Sequence, residues 1–232
     1  EEESTGWGRT PEPSTMAGSH RFCWSLRYPG YTDFEGRIFW AAGNYGPMAV
    51  PGTYRVRMEV DGQEVGTRDF DIVLDPRIQG VTQADLQARF DLALQIRDRV
   101  SEANEAVLLI RDLEDQILER LEDTERESVQ TRARELMDAL DAVEGEIYQV
   151  KNQSNQDPLN FPIKLNNKLA ALMGVVESAE NRPTEQSYTV FNYLSDLLQE
   201  ELDRLEDILD QDLPALNEAL EDEGMEPVEV HR

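Results

Sequence analysis

The most regular hydrophobic pattern in the chain lies between residues 129 and 150, where apolar residues recur at alternating spacings of four and three. This spacing places their side chains on one face of an α-helix. The stripe consists of Val129, Ala133, Leu136, Leu140, Val143, Ile147 and Val150. Because such a stripe requires a partner, and helical patterns flank it on both sides, the sequence predicts an elongated antiparallel bundle of three to four helices over residues 79–220.

Four helices are predicted in this region, over about 82–123, 127–151, 163–179 and 184–210. The first begins with Thr82, followed three residues later by Asp85, a variant of the capping box. It would contain about 40 residues and extend roughly 60 Å. Pro214 predicts a break after the fourth helix, with at most a short helical turn before an acidic tail at 221–232.

The N-terminal third has strand-like rather than helical patterning. Residues 1–18 predict an extended arm, and residues 19–78 alternate apolar and polar side chains between turn signals. The strongest of these signals is Asp61-Gly62, a typical hairpin turn. Strands over about 19–27, 37–42, 53–60 and 65–74 predict a small Ig-like antiparallel β-sandwich, so the fold class is α+β.

The charge of the chain limits its partners. It carries 22 Lys and Arg against 48 Asp and Glu, a net charge of −26, of which residues 1–80 contribute only −4. This charge repels nucleic acids and anionic membrane surfaces, so a basic protein is the natural partner. The alternative is that the carboxylates only maintain solubility. No apolar run approaches the roughly 20 residues of a membrane-spanning helix, so no transmembrane segment is predicted.

The sequence predicts no catalytic, cofactor or metal site. The two histidines, His20 and His231, lie at opposite ends of the chain, and Cys23 is the only cysteine. No glycine-rich phosphate loop follows a strand. Acidic pairs are frequent on the predicted helices, but solvated carboxylates lack the burial that tunes catalytic groups. Weak binding of divalent cations to these helices is left open.

Two places are candidates for binding a partner protein. The first is Trp7, an isolated aromatic residue in the predicted arm. The second is the corner between the second and third helices, the least acidic part of the helical region. Its polar groups either bind a partner or cap helix ends and fix the loop. The candidate residues at this corner are Asn152, Gln153, Asn160, Phe161, Lys164 and Lys168.

Several motifs resemble the region that follows the propeller in secreted bacterial BNR-repeat, sortilin-like proteins often labelled glycosyl hydrolases. These motifs include residues 20–30, 51–54, 75–77 and 85–93, and the most specific is the run 157–169. The resemblance covers about residues 19–220. It implies export from the cytoplasm and a non-catalytic accessory role. The Asp boxes of the propeller are missing here, so no hydrolase activity is implied.

These observations favour a non-enzymatic structural subunit that braces other proteins in an extracytoplasmic, membrane-associated bacterial complex. A photosynthetic reaction-centre and light-harvesting complex is the assembly that we expect, with a basic or membrane-embedded protein as partner. One alternative is an accessory C-terminal domain of a secreted propeller hydrolase. Another is an acidic docking module for a basic redox partner, whose binding would weaken with salt.

Overall fold

The fold combines one small sheet with four helices. The computed structural model describes residues 14–122 and 124–231, so the candidate Trp7 lies outside the described residues. In chain order the elements are β1 (Gly52–Val60), β2 (Gln63–Ile72), α1 (Gln83–Glu122), α2 (Glu127–Ile147), a 3₁₀ turn (Asp157–Leu159), α3 (Leu165–Val176) and α4 (Glu185–Glu221). The predicted α+β class is therefore confirmed as a two-stranded antiparallel sheet followed by four helices.

The four helices share one hydrophobic core. α2 contacts both α1 and α4, and α3 also contacts these two helices. Leu140 of α2, Ile110 of α1 and Leu198 of α4 are fully buried members of this core. Of the helices in the described residues, none is both long enough and apolar enough to cross a membrane.

The start of α1 follows the predicted capping box. The backbone N–H of Thr82 donates to Oδ2 of Asp85 at 2.9 Å, and the N–H of Asp85 donates to Oγ1 of Thr82 at 3.2 Å. Three hydrogen bonds to the Asp85 carboxylate lower its pKa to about 2. The bond from the Thr82 hydroxyl has the largest effect, followed by the bond from Arg182 and then by the bond from the Thr82 backbone N–H. These reciprocal bonds satisfy backbone N–H groups that a helix start leaves without partners.

The second helix is shorter than predicted. Its first six stripe residues are buried, but α2 ends at Ile147, and Val150 is 49% exposed. The chain leaves the helix because Tyr148 adopts an extended conformation with φ −128° and ψ 147°. The ring of Tyr148 packs edge-on against Phe34, with 5.1 Å between centroids, and its hydroxyl accepts from the N–H of Ile38. A tertiary contact thus overrides the helical periodicity.

The prediction for the end of the fourth helix was wrong. α4 runs without interruption to Glu221, with Pro214 inside it, because the buried stripe continues through Leu213 and Leu216. Packing of this stripe offsets the backbone bond that proline removes. The acidic tail that follows packs back on α4, since Val228 is buried and exchanges two hydrogen bonds with the side chain of Asn217.

The predicted strands at 19–27 and 37–42 are not present, so the described residues hold one hairpin and the sandwich is not formed. The left-handed conformations of Leu26 (φ 61°) and Ala41 (φ 52°) break these segments. Outside β1 and β2, the described residues contain one isolated bridge, between Arg27 and Met48.

We name residues 28–50 the anchored loop, because they pack on the helices and add Tyr31 and Phe34 to the core.

Candidate interaction surfaces

Buried amide side chains hold the anchored loop against the helices. Nδ2 of Asn104 in α1 donates to the carbonyl oxygen of Thr32 at 2.7 Å, and Nδ2 of Asn166 donates to Oδ1 of Asn104 at 3.0 Å. Asn167 exchanges two hydrogen bonds with the backbone of Trp40, at 2.7 and 2.9 Å. Asn104 and Asn166 are both fully buried. Because an unpaired buried amide is costly, these bonds define one position for the loop.

A buried ion network fixes the base of the hairpin. The Glu177 side chain is 3% exposed, and its Oε2 accepts from Arg27 at 2.6 Å and from the backbone N–H of Met48 at 3.3 Å. Nε of Arg89, itself 5% exposed, lies 3.8 Å from Oε1 of Glu177. Arg89 also donates to the carbonyl oxygen of Ala179. One carboxylate therefore joins α1, the end of α3 and the loop that enters β1.

The predicted corner is organised around Asp157. Its Oδ2 accepts from the backbone N–H groups of Gln153 and Ser154 at 2.6 and 2.8 Å, and these bonds hold the pKa of Asp157 below its usual range. The N–H of Asn160 donates to the Asp157 carbonyl oxygen. Oδ1 of half-buried Asn152 finds no hydrogen-bond partner among the described residues. The backbone bonds fix the loop, while the side chains of Gln153 and Asn160 are exposed.

The remaining corner residues are Lys164, Phe161 and Lys168. Nζ of Lys164 donates to Oε1 of Glu146 at 3.0 Å. Phe161 is half-buried, with Nζ of Lys151 6.0 Å from its ring centroid. Lys168 is exposed on α3. Partner binding at this corner stays a prediction.

The hairpin formed by β1 and β2 is the most exposed apolar feature. Its strands contact each other but none of the four helices. The turn at Asp61-Gly62 has the predicted geometry, with φ of 51° and 75°. Of the 19 large hydrophobic side chains that are exposed in the described residues, 11 lie between residues 16 and 73. The exposed apolar surface is therefore concentrated outside the acidic helices.

The two faces of the hairpin differ in chemistry. We name the side carrying Tyr54, Val56, Met58 and Phe70 the apolar face, which the strand period places together. Arg68 lies on the same side, across from Val56, and is its charged member. Trp24 covers its base, with ring centroids 5.8 Å from Tyr54 and 6.2 Å from Phe70. Beyond this cover, Val56 is 52% exposed and Met58 60%.

The opposite side, the polar face, carries ion pairs and hydrogen bonds between the strands. Arg55 donates twice to the carboxylate of Asp69, at 2.6 and 2.9 Å. The hydroxyl of Thr53 donates to Oδ1 of Asp71 at 2.7 Å. Arg57, with an exposed side chain, pairs with Glu59 on its own strand. This side is solvated in the usual way, so the apolar face is the one that lacks a partner.

Three carboxyl groups meet between α1 and α2. Among the described residues, they are the group whose spacing could hold a cation. Oxygen atoms of Glu114, Asp141 and Glu144 lie within 4.8 Å of one another. Arg111 already donates to Oε1 of Glu144 at 2.8 Å. Burial, followed by repulsion from Asp141 and Glu144, raises the pKa of Glu114 to about 7. Glu114 therefore keeps its proton to a higher pH than an exposed carboxyl group does.

A shallow depression lies between α1, α2 and α4. Its lining includes Ile117, Leu121, Val129 and Leu216, with Arg120 as the charged member, and its roughly 140 Å³ of space is partly open to solvent. Ligand pockets usually measure about 300–1,000 Å³. This depression is too small for a typical organic ligand.

Comparison of the chain with known protein families, with curated proteins and with solved structures finds no match. The resemblance of residues 19–220 to the region following the propeller of sortilin-like proteins therefore stays a prediction.

Proposed function

We propose that the chain is a non-enzymatic structural subunit that holds protein partners through its hairpin and uses its helices as a rigid spacer. The observation that carries this proposal is the hairpin, which exposes an apolar face and contacts no helix. A two-stranded sheet is marginal by itself in water. A partner that covered the apolar face would stabilise it by removing Val56 and Met58 from water.

The helices suit the spacer role. In the proposed arrangement they form an elongated antiparallel bundle. α1 has 40 residues and α4 has 37, which correspond to about 60 and 55 Å of helix. Their shared core resists bending because close-packed interiors deform little. The anchored loop and the Glu177 network join this spacer to the base of the hairpin.

Charge supports a protein partner over nucleic acid. The residues after 80 carry a net charge of −22, which would hold a basic surface alongside the helices while the hairpin is bound. We place the subunit outside the cytoplasm, in a membrane-associated bacterial complex, and a photosynthetic reaction-centre complex is the proposed assembly. The support for this location is the sequence resemblance alone.

The test is the native mass of the complex from the source organism. We expect the wild-type chain to migrate within a larger assembly, and the variant Val56→Ser/Met58→Ser to be released from it as a folded protein. The matched control is Leu118→Ser/Val175→Ser, which removes exposed apolar side chains from helices and should leave the assembly intact. A wild-type chain that migrates alone in native extracts would contradict the proposal.

A further inference from the structure

The outer edge of β1 is an unpaired row of backbone groups. Apart from its pairing with β2, the backbone of residues 52–60 makes no hydrogen bond to any described segment. Such edges accept an additional strand unless a protein blocks them. β1 contains no proline and no lysine, and the one irregularity lies between Met58 and Glu59, close to the turn. Most of the edge is therefore open to pairing.

We propose that this edge binds an extended segment of a partner protein in which apolar and acidic residues alternate. The inference rests on the proposed function, since it specifies how the partner is recognised. A strand added here would become the third strand of the sheet and extend the apolar face. Three strands with one covered face are stable where two are marginal.

The side chains of β1 determine this chemistry. Val56 and Met58 project on the apolar face, while Arg55 and Arg57 project on the polar face, with exposed side chains. Neighbouring strands are stabilised when opposite charges and apolar pairs lie across from each other. A segment beside β1 therefore gains from apolar residues on one face and carboxylates on the other.

The inner edge of β1 shows the same preference. Over residues 69–72 β2 alternates acidic and apolar residues, and the pairs across the ladder there include Arg55 with Asp69 and Tyr54 with Phe70. Nearer the turn Arg68 and Thr67 lie across from Val56 and Arg57, so the preference is seen in the first half of β1. The aromatic rings of the second pair lie 6.1 Å apart. β2 is thus an example within this chain of the sequence type that β1 accepts. The outer edge presents the same row of side chains to a second such strand.

Charge argues against a second copy of this chain as the occupant. In an antiparallel pairing of two β1 strands centred on Val56, Arg55 of each copy would lie across from Arg57 of the other. In an antiparallel pairing of two β2 strands centred on Phe70, Asp69 of each copy would lie across from Asp71 of the other. Like charges across a ladder are destabilising, and each chain carries a net charge of −26. Pairing of β1 with β2 of another copy would match charges across the ladder, but it is opposed by the net charge of −26 on each chain. We therefore take the occupant to be a segment of another protein.

The experiment titrates the full chain with two synthetic nine-residue peptides and follows backbone amides by NMR and hydrogen exchange. Valine alternates with aspartate in one peptide and with lysine in the other. We expect the aspartate peptide to bind and to slow exchange of amides in β1 but not in β2. Equal binding of both peptides, binding of neither, or protection of β2 instead of β1 would each overturn the inference.

A charge reversal at the edge provides the second arm. Arg57→Glu should weaken the aspartate peptide about fivefold, since it replaces one cross-strand attraction with a repulsion, and it should strengthen the lysine peptide. The matched control is Arg77→Glu, which changes net charge equally but lies outside β1 at an 89% exposed side chain. Amide spectra of the hairpin verify that both variants stay folded. An equal response to the two variants would overturn the inference.

The two proposals fail in different ways. If neither peptide binds but Val56→Ser/Met58→Ser still releases the chain from its native assembly, the hairpin docks without strand addition, and only this inference is wrong. If the wild-type chain is alone in native extracts, the proposed function is wrong whatever the peptides do.

Discussion

Removing the charge of Glu114 should stabilise the protein at alkaline pH and leave it unchanged in acid. Glu114 lies beside Asp141 and Glu144, and its Oε1 is buried without a hydrogen-bond partner in the described structure. Its pKa rises from 4.5 to about 7, chiefly because of burial and then because of the two neighbouring carboxylates. The variant Glu114→Gln keeps the shape of the side chain but cannot ionise.

The sign follows from proton linkage. A carboxyl whose pKa is higher in the folded protein favours folding while it is protonated, so its contribution is complete below pH 4.5. That contribution is lost as the pH rises towards and through about 7. A shift of this size corresponds to about 3 kcal/mol for a site sealed from water. Because Glu114 is only half-buried, solvent screening reduces the expected effect to about 1–2 kcal/mol.

The assay is urea unfolding of wild type and Glu114→Gln at pH 5 and pH 8. We expect the variant to gain about 1–2 kcal/mol over wild type at pH 8 and to differ little at pH 5. The control is Glu135→Gln, the same substitution at an exposed position of α2, which should change neither value. An advantage at pH 5 equal to that at pH 8, or a loss at pH 8, would refute the reasoning.

Three further substitutions test the packing. Glu177→Gln removes the buried carboxylate that pairs with Arg27 and Arg89 and leaves Arg89 with Glu180, 3.4 Å away, so it should cost about 3 kcal/mol in urea unfolding; a loss below about 1 kcal/mol would show that the network is dispensable. Leu140→Ala removes a fully buried side chain and should cost about 2–5 kcal/mol; a near-neutral result would contradict its place in the core. Val56→Ser should change the unfolding free energy by less than about 0.5 kcal/mol, and a large loss would mean that the hairpin packs on the helices.

The helices were predictable because their signals are local and repeated. Six members of the α2 stripe are buried, and the Thr82–Asp85 box lies where the sequence placed it. The errors occurred where a distant contact decides the outcome. Tyr148 ends α2 by packing on a loop more than a hundred residues earlier in the chain. Pro214 stays helical because its neighbours continue the buried stripe.

The candidate surfaces were only partly visible in the sequence. Asp61-Gly62 correctly indicated a hairpin, since that dipeptide favours the turn by itself. Alternation alone could not show that the hairpin lacks a second sheet, because exposed and covered apolar faces have the same period. Asn104 and Asn166 were missed, although an amide within a long apolar-striped helix is a signal worth noting. Their pairing joins residues 62 positions apart and is invisible to local patterns.

The separation of the hairpin from the helices has a consequence for how such a protein can evolve. Substitutions at sites without shared contacts add nearly independently. Changes along β1 would therefore retune affinity for a ligand strand without eroding the stability that resides in the helical core. One scaffold could serve successive binding specificities through mutations confined to about twenty residues, between Gly52 and Ile72.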